Sequence, residues 1–285
     1  MATFFNQASV SLGGTVINSN VTVGEIVAGI TMTKTAATES YSQNGGITYV
    51  VSIVNSGASA SPTLTLTDNL GEYSPTLGTE VTPLDYIDGS VLYYVNGVLQ
   101  PTPIVSAGPP FTVSGLEIPA GGNITVIYEA RANGFAPLAQ GAQITNVATV
   151  TGTPEAITDT ATVPARESAN LTVSKSLCPV EIADANGEIT YTLVIQNSGN
   201  TPVVATDDLI INDVFNPILT NITVTLDGTA LTEGVGYTYN DATGEFATTA
   251  GTVTVPAAIY TQDTATGIIT TTPGVAVLTI RGRLS

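Results

Sequence analysis

The only two lysines of the 285-residue chain, Lys34 and Lys175, occupy the same place in two similar segments. In Ile30–Lys34 and in Leu171–Lys175, every second residue before the lysine is apolar. Such alternation marks one face of a half-buried β-strand, so each lysine is predicted to point inward with the apolar residues. Burying an isolated ammonium group is costly, and a solvated surface lysine would have no reason to keep this phase. Both lysines are therefore candidates for chemistry.

An aspartate and an asparagine fall on apolar faces in the same way. Asp68 alternates with the leucines of LTLTDNL, and Asp213 alternates with the apolar residues of LIINDVF. Asn146 is in phase with the apolar residues of ITNVATVTG, and Asn6 is in phase with those of FFNQASVSLGG near the N-terminus. The sequence thus offers an amine, a carboxyl and an amide on inward faces, in two sets.

An amine, a carboxyl and a side-chain amide can form an isopeptide bond. Burial lowers the pKa of a lysine and leaves a neutral, nucleophilic amine. A neighbouring aspartate that apolar surroundings keep protonated would polarise the asparagine carbonyl. Attack would expel ammonia and join Lys34 to Asn146, with Asp68 as the catalyst. The alternative is a hydrogen-bonded cluster of the three side chains without a covalent bond.

The elements that would position these residues are repeated along the chain. Ile30–Asn55 and Leu171–Asn197 each predict a strand, a turn and a second strand, followed by Ser-Gly and a Pro-containing loop. Third strands are predicted over Leu64–Leu70 and Leu209–Phe215. Thr, Val and Gly are abundant and only 10% of the residues are charged, which is typical of an all-β protein.

The two repeats differ at their ends. Repeat 1 continues through ITNVATVTG, whereas repeat 2 stops at VAVLTIRGRLS without a matching strand. Asn6 precedes Lys34 by nearly the same number of positions as Asn146 precedes Lys175. The predicted domains are therefore an N-terminal donor strand with its connector over residues 1–29, a complete repeat over 30–165, and a repeat without its last strand over 166–285.

The N-terminal segment is predicted to complete repeat 2 of another subunit. A sandwich that lacks an edge strand exposes unpaired backbone, which favours strand addition. Docking in the register of Asn146 would bring Asn6 beside Lys175 and Asp213, so a bond between subunits is predicted there, with Asp213 as the catalyst. The alternative is that the segment folds back onto its own chain. The predicted strand anchors are Phe4, Phe5, Ala8 and Val10.

The patterns ITYVVSIVNSG, LTDNL and TNVATV, with their counterparts ITYTLVIQNSGN and INDVF, resemble a family of bacterial surface repeats known as domain of unknown function number eleven. The resemblance covers nearly the whole chain. It implies tandem immunoglobulin-like β-sandwich domains of the kind found in large cell-surface proteins. It also implies that Lys34, Asp68 and Asn146 match the isopeptide triad of related pilin and adhesin domains.

The composition narrows the function further. The net charge of −17 argues against nucleic acid and anionic membranes as partners, and no segment is apolar enough for a membrane span. The chain has no His and a single Cys, so neither zinc nor hydrolase chemistry is supported, a disulfide within the chain is impossible, and no metal, cofactor or small-molecule substrate is predicted.

We therefore predict a structural subunit of an extracellular fibre, at a cell or spore surface, whose partner is a further copy of itself. Enzyme turnover is not expected, because each bond would form once and consume its own side chains. No signal peptide is visible in the sequence. The alternative is an adhesin stalk or ligand-binding fragment that does not polymerise.

Overall fold

The predicted all-β class is confirmed. A computed structural model describes residues 2–26, 29–76, 79–181 and 187–284, and their regular structure is β-strand apart from one 3-10 helix, Ala205–Asp207. Contacts divide the chain into two compact units. Unit 1 comprises Met1–Ala136 with Gln143–Pro164, and unit 2 comprises Pro137–Ala142 with Ala165–Ser285.

The N-terminal arm, residues 2–26, is a hairpin rather than a single strand. Its outer strands pair with each other, as do its inner strands, and Gly13 and Gly14 adopt the positive φ angles that the tight turn requires. The arm exposes most of its apolar side chains, which shows that it has no core of its own. The strands are β1 (Ala2–Asn6), β2 (Ser9–Leu12), β3 (Thr15–Asn18) and β4 (Thr22–Ile26).

Unit 1 also contains repeat 1, a sandwich of two sheets. Its strands are β5 (Ile30–Ala36), β6 (Gly46–Asn55), β7 (Leu64–Asp68), β8 (Tyr73–Thr76), β9 (Thr79–Val81), β10 (Leu84–Tyr86), β11 (Leu92–Val95), β12 (Val98–Gln100), β13 (Ile104–Ser106), β14 (Phe111–Leu116), β15 (Asn123–Ala132), β16 (Gln143–Thr151) and β17 (Ile157–Pro164).

One sheet of repeat 1 has the order β12-β11-β15-β6-β5, with β10 also on β15, and the other has the order β13-β14-β7-β16-β17. Alternate residues of both sheets point into a shared core, as the alternation in β6 and β15 predicts. Strand β7 lies between β14 and β16, so both of its edges are hydrogen-bonded.

Unit 2 contains repeat 2, with strands β18 (Leu171–Cys178), β19 (Glu188–Asn197), β20 (Asn212–Val214), β21 (Leu219–Leu226), β22 (Thr229–Ala230), β23 (Tyr237–Tyr239), β24 (Glu245–Thr248), β25 (Ile259–Gln262), β26 (Ile269–Thr272) and β27 (Gly274–Leu284). The larger sheet has the order β18-β19-β27-β21-β22 and packs over the sheet β20-β24-β23.

The sheet that carries β20 is open on one side. Strand β20 pairs with β24, and no other described strand pairs with its second edge. The strand predicted over Leu209–Phe215 is too long, because the observed strand comprises only Asn212–Val214. Beside it lies a groove of about 330 Å³, and its lining is mostly apolar: Leu171, Thr172, Val173, Leu193, Ile195, Leu209, Ile210, Ile211 and Asn212.

The open edge of β20 should be detectable by hydrogen exchange. In the monomeric chain, backbone amides of residues 209–214 should exchange at least about tenfold faster than those of Leu64–Asp68, because β7 is held from both sides. Strands β14 and β24, which flank β7 and β20, serve as matched controls. Equal protection of the two segments would mean that the edge of β20 is covered in solution.

Candidate functional site: a buried lysine, aspartate and asparagine

Lys34 is buried within repeat 1 and is paired with Asp68. Its Nζ lies 2.6 Å from Oδ2 of Asp68, and neither side chain has any exposed surface. The ammonium group also lies 4.8 Å from the centre of the Tyr49 ring. Strand β5 supplies the lysine and β7 the aspartate, so the pair joins the two sheets of the sandwich.

Burial lowers the pKa of Lys34 to about 8, because desolvation outweighs the attraction of Asp68. An ordinary lysine, at 10.5, would be almost wholly charged at neutral pH. Near pH 8, a substantial fraction of Lys34 is therefore the neutral amine, which is the nucleophilic form.

Asp68 accepts hydrogen bonds from several elements at once. Its Oδ1 accepts from the backbone N–H of Leu70 at 2.8 Å, and its Oδ2 accepts from Lys34 and from the hydroxyl of Tyr128. The carboxyl group is fully buried, so these donors replace the water that it loses. Its position and orientation are thereby fixed.

Asn146 is buried on β16 and is held at both ends of its amide. The backbone N–H of Gly71 donates to Oδ1 at 3.1 Å, and Nδ2 donates to the Tyr128 hydroxyl over 3.4 Å. Because a backbone N–H can only donate, Gly71 identifies which end of the amide is the carbonyl. In the described residues, the donor to this carbonyl is therefore Gly71, whereas the sequence predicted Asp68 in that role.

Gly71 is required at this turn for two reasons. It has a φ of +74°, and a Cβ atom there would lie 2.6 Å from Cγ2 of Ile144. The turn after β7 therefore brings the backbone N–H of Gly71, a residue without a side chain, close to strand β16, which carries Asn146.

Asp159 ties the edges of the two sheets together near the lysine. Its Oδ2 accepts the backbone N–H of Lys34 at 2.7 Å. Strand β17 carries Asp159 and pairs with β16, so the hairpin that brings Asn146 also anchors the backbone of β5.

Tyr49, Tyr128 and Asp159 were not assigned to the site by sequence reasoning. Each is in phase with the apolar residues of its strand, which is the signal that identified the lysine, aspartate and asparagine. Tyrosine is common in protein cores, so an inward position is weaker evidence of a functional role for a tyrosine than for a lysine. The hydroxyl of Tyr49 faces the Asn146 amide outside ordinary hydrogen-bond geometry.

Repeat 2 contains the corresponding ion pair in a more open setting. Lys175 donates to Asp213, and the lysine lies 4.5 Å from the centre of the Tyr191 ring and 5.2 Å from that of Phe215. The side chains of Lys175 and Asp213 are 38% and 15% exposed, whereas those of their counterparts in repeat 1 are fully covered. In the described part of the chain, no side-chain amide is hydrogen-bonded to either residue.

Asn6 lies on β1 of the arm, opposite Thr22 of β4, and is exposed. Phe4 shares its face, because residues two apart on a strand point the same way, and its ring covers Gly24 across the hairpin. Phe5 points to the opposite face, where it pairs with Val23.

Ala8 and Val10 lie further along the arm, also exposed and in phase with Asn6. In the arm, Val10 pairs with Ile17, and in repeat 1 the equivalent pair is Val150 with Ile157. The arm therefore reproduces the register of the β16–β17 hairpin at its turn. Nearer to Asn6 the two hairpins differ by one residue. Asn6 pairs with Thr22, five positions after Ile17, whereas Asn146 pairs with Ala161, four positions after Ile157.

No group of His, Cys, Asp and Glu side chains in the described ranges is arranged to hold a metal ion. No helix there has the length and apolar character needed to cross a membrane.

No protein-family model matches the sequence, and no curated protein matches it either. The family resemblance seen in the sequence motifs therefore stays a prediction.

Solved structures with similar folds include BcpA, the major pilin subunit of Bacillus cereus. It has a TM-score of 0.37 and 11% identity over 98% of this chain and 74% of that one. The pilus backbone RrgB of Streptococcus pneumoniae has a TM-score of 0.35 and 11% identity over 86% of this chain and 55% of that one. The major pilin SpaA of Corynebacterium diphtheriae has a TM-score of 0.30 and 13% identity, over 85% and 56%. At such distances the function has to be argued from the chain's own residues.

The lowered pKa of Lys34 predicts how stability changes with pH when no bond can form. In Asn146→Ala, the unfolded chain binds more protons than the folded one between about pH 8 and 10.5, so stability rises with pH in that window. We expect a gain of about 2 kcal/mol between about pH 7 and 9.5, measured by urea unfolding.

The matched control is Lys34→Met combined with Asn146→Ala, for which the slope with pH should disappear. Measurements should stop below pH 10, because the raised pKa values of Tyr49 and Tyr128 oppose the trend above it. The same slope in both variants would show that Lys34 is not responsible.

Proposed function

We propose that this protein is a structural subunit of an extracellular fibre that assembles head to tail. The arm of one subunit docks in the open groove of repeat 2 of the next, and Lys–Asn bonds within and between subunits make the fibre covalent. The observation that carries the proposal is the match between the arm hairpin and the β16–β17 hairpin, together with the unpaired edge where such a hairpin would fit.

The groove and the arm have complementary surfaces. Leu171 and Val173 of β18 are exposed, whereas Met32, the repeat 1 equivalent of Val173, is buried. The arm exposes Phe4 and Val10 on the face that would turn inward. Burying a large apolar side chain fully is worth about 2 kcal/mol, so docking removes apolar surface from water on both partners.

Docking in the register of repeat 1 brings the reactive groups together. Asn6 would take the place of Asn146, next to Lys175 and Asp213, which are already paired with each other. Holding amine and amide in contact raises the rate of a slow reaction between them. Because each subunit has an arm at one end and a groove in its other unit, the contact is heterologous and does not close on itself.

The bond within repeat 1 follows from the groups around Asn146. The neutral amine of Lys34 attacks Cγ of Asn146, and the carbonyl electron pair moves to Oδ1. The N–H of Gly71 is placed to stabilise that negative charge, as an oxyanion donor does. Asp68 takes the proton from the attacking nitrogen, Nδ2 gains a proton, and the carbonyl re-forms as the Cγ–Nδ2 bond breaks and ammonia leaves.

The fibre is proposed to lie outside the cell, at a cell or spore surface, as a homopolymer of the family that the repeat motifs resemble. The chain has one cysteine, so a disulfide within it is impossible. In the proposed fibre, Lys–Asn bonds supply the covalent reinforcement instead. The competing proposal is an adhesin stalk that stays monomeric. It predicts a free arm and no multimers that survive boiling.

Intact-mass measurement tests the bond within the chain. Loss of one ammonia should lower the mass by about 17 Da in the folded protein, and Asp68→Ala should keep the full mass. Lys175→Ala isolates this bond, because it removes the proposed reaction between subunits. A folded Lys175→Ala chain with an unmodified mass would rule out the bond in repeat 1.

Gel electrophoresis after boiling in detergent tests the bond between subunits. The wild-type fibre should give a ladder of multimers. Asn6→Ala should still form fibres, because Phe4 and Val10 remain, but these fibres should dissolve to monomers on boiling. Gln7→Ala, one residue along and on the other face of the arm, is the matched control and should keep the ladder.

Deletion of residues 1–26 should leave a folded monomer, because the arm strands pair with each other rather than with repeat 1. Fibres of the deleted chain, or a boiled ladder from Asn6→Ala, would contradict strand donation or the Asn6–Lys175 assignment, respectively.

A further inference from the structure

Bond formation between Lys34 and Asn146 requires the amide nitrogen of Asn146 to leave as ammonia. Such a nitrogen leaves readily only after it has gained a proton. In the described residues, Asp68 has no hydrogen bond to this nitrogen, although it is the carboxyl group next to the attacking amine. The hydroxyl of Tyr128 contacts both groups, since it donates to Oδ2 of Asp68 and lies 3.4 Å from Nδ2 of Asn146.

We propose that Tyr128 is a catalytic residue that relays a proton from Asp68 to the departing nitrogen of Asn146. This inference rests on the proposed bond within repeat 1 and extends it.

The relay conserves every proton. As the Lys34 nitrogen bonds to Cγ, it passes a proton to the Asp68 carboxylate, and Asp68 passes a proton on to the oxygen of Tyr128. Tyr128 gives its hydroxyl proton to Nδ2, whose lone pair is free in the tetrahedral intermediate. The bond from Cγ to Nδ2 then breaks and neutral ammonia leaves. Asp68 and Tyr128 end in the protonation states in which they began.

The surroundings of Tyr128 suit this role. The side chain has no exposed surface, and its ring packs 5.4 Å from the ring of Tyr49 and 4.7 Å from that of Phe111, which fixes the direction of the hydroxyl. Burial, and then the nearby charge of Asp68, raises the pKa of Tyr128 well above its ordinary value. The phenol therefore keeps its proton and can both accept and donate one.

Repeat 2 has no tyrosine at this position. Tyr128 pairs with Tyr49 across β15 and β6, and in repeat 2 the residue that pairs with Tyr191 across β27 and β19 is Ile280. The relay therefore belongs to the bond within the chain, and the bond between subunits has to form without Tyr128.

Tyr128→Phe tests the relay, because it removes the hydroxyl and keeps the ring. In a Lys175→Ala background, freshly synthesised 285-residue chain is followed by intact mass over time. We expect loss of ammonia to be at least about tenfold slower than with Tyr128 present. The matched control is Tyr93→Phe on β11 of the same repeat, which removes a hydroxyl that donates to the backbone carbonyl of Glu117 and should leave the rate unchanged.

A second measurement separates proton transfer from packing. A fluorinated tyrosine at position 128 makes the hydroxyl more acidic with little change in shape, so it should alter the rate, whereas the same residue at position 93 should not. An unchanged rate in Tyr128→Phe, or with the fluorinated residue at position 128, would overturn the relay.

The failure of the relay can be told from the failure of the proposed bond. If the Lys175→Ala chain never loses ammonia, the bond itself is absent and the relay with it. If that chain loses ammonia and Tyr128→Phe loses it equally fast, only the relay is wrong. In the chain that retains Lys175, Tyr128→Phe should still give multimers that survive boiling in detergent. Loss of this ladder would contradict the proposal that Tyr128 acts only on the bond within repeat 1.

Discussion

The buried ion pair of Lys34 and Asp68 is the interaction on which the rest of repeat 1 depends. Removing two charges from water is expensive, and their mutual attraction offsets that cost only when further hydrogen bonds complete the site. Here those bonds come from Tyr128 and from the turn that follows β7. The same groups hold Asn146, so the need to satisfy a buried charge also places an amide within the same buried cluster.

Repeat 2 shows the same pair without the elements that enclose it. Lys175 and Asp213 meet as their counterparts do, but the lysine keeps partial contact with water, and the groove beside β18 and β20 is open. In the proposed assembly, a strand that filled the groove would both supply an amide and exclude that water.

The arm exposes an apolar surface on a chain that has a large net negative charge. Its exposed aromatic and aliphatic residues would favour non-specific association. A net charge of −17 opposes close approach of two subunits in general, and in the proposed fibre the pairing of strand with strand would offset that repulsion. The hairpin form also covers the arm's own backbone groups, because β1 pairs with β4 and β2 with β3.

The sequence by itself determined the all-β class, the inward phase of Lys34, Asp68 and Asn146, and the counterpart positions in the second repeat, because a period of two assigns each residue to a face. Alternation along a strand assigns each side chain to a face but does not say which residues it contacts. Those contacts were decided by the tertiary structure. The turn at Gly71 aims a backbone N–H at Asn146, and Tyr128 connects that amide to Asp68 through residues far apart in the chain. It also showed that the arm is a hairpin and that the strand near Asp213 is short, since a strand persists only where a neighbour satisfies its backbone.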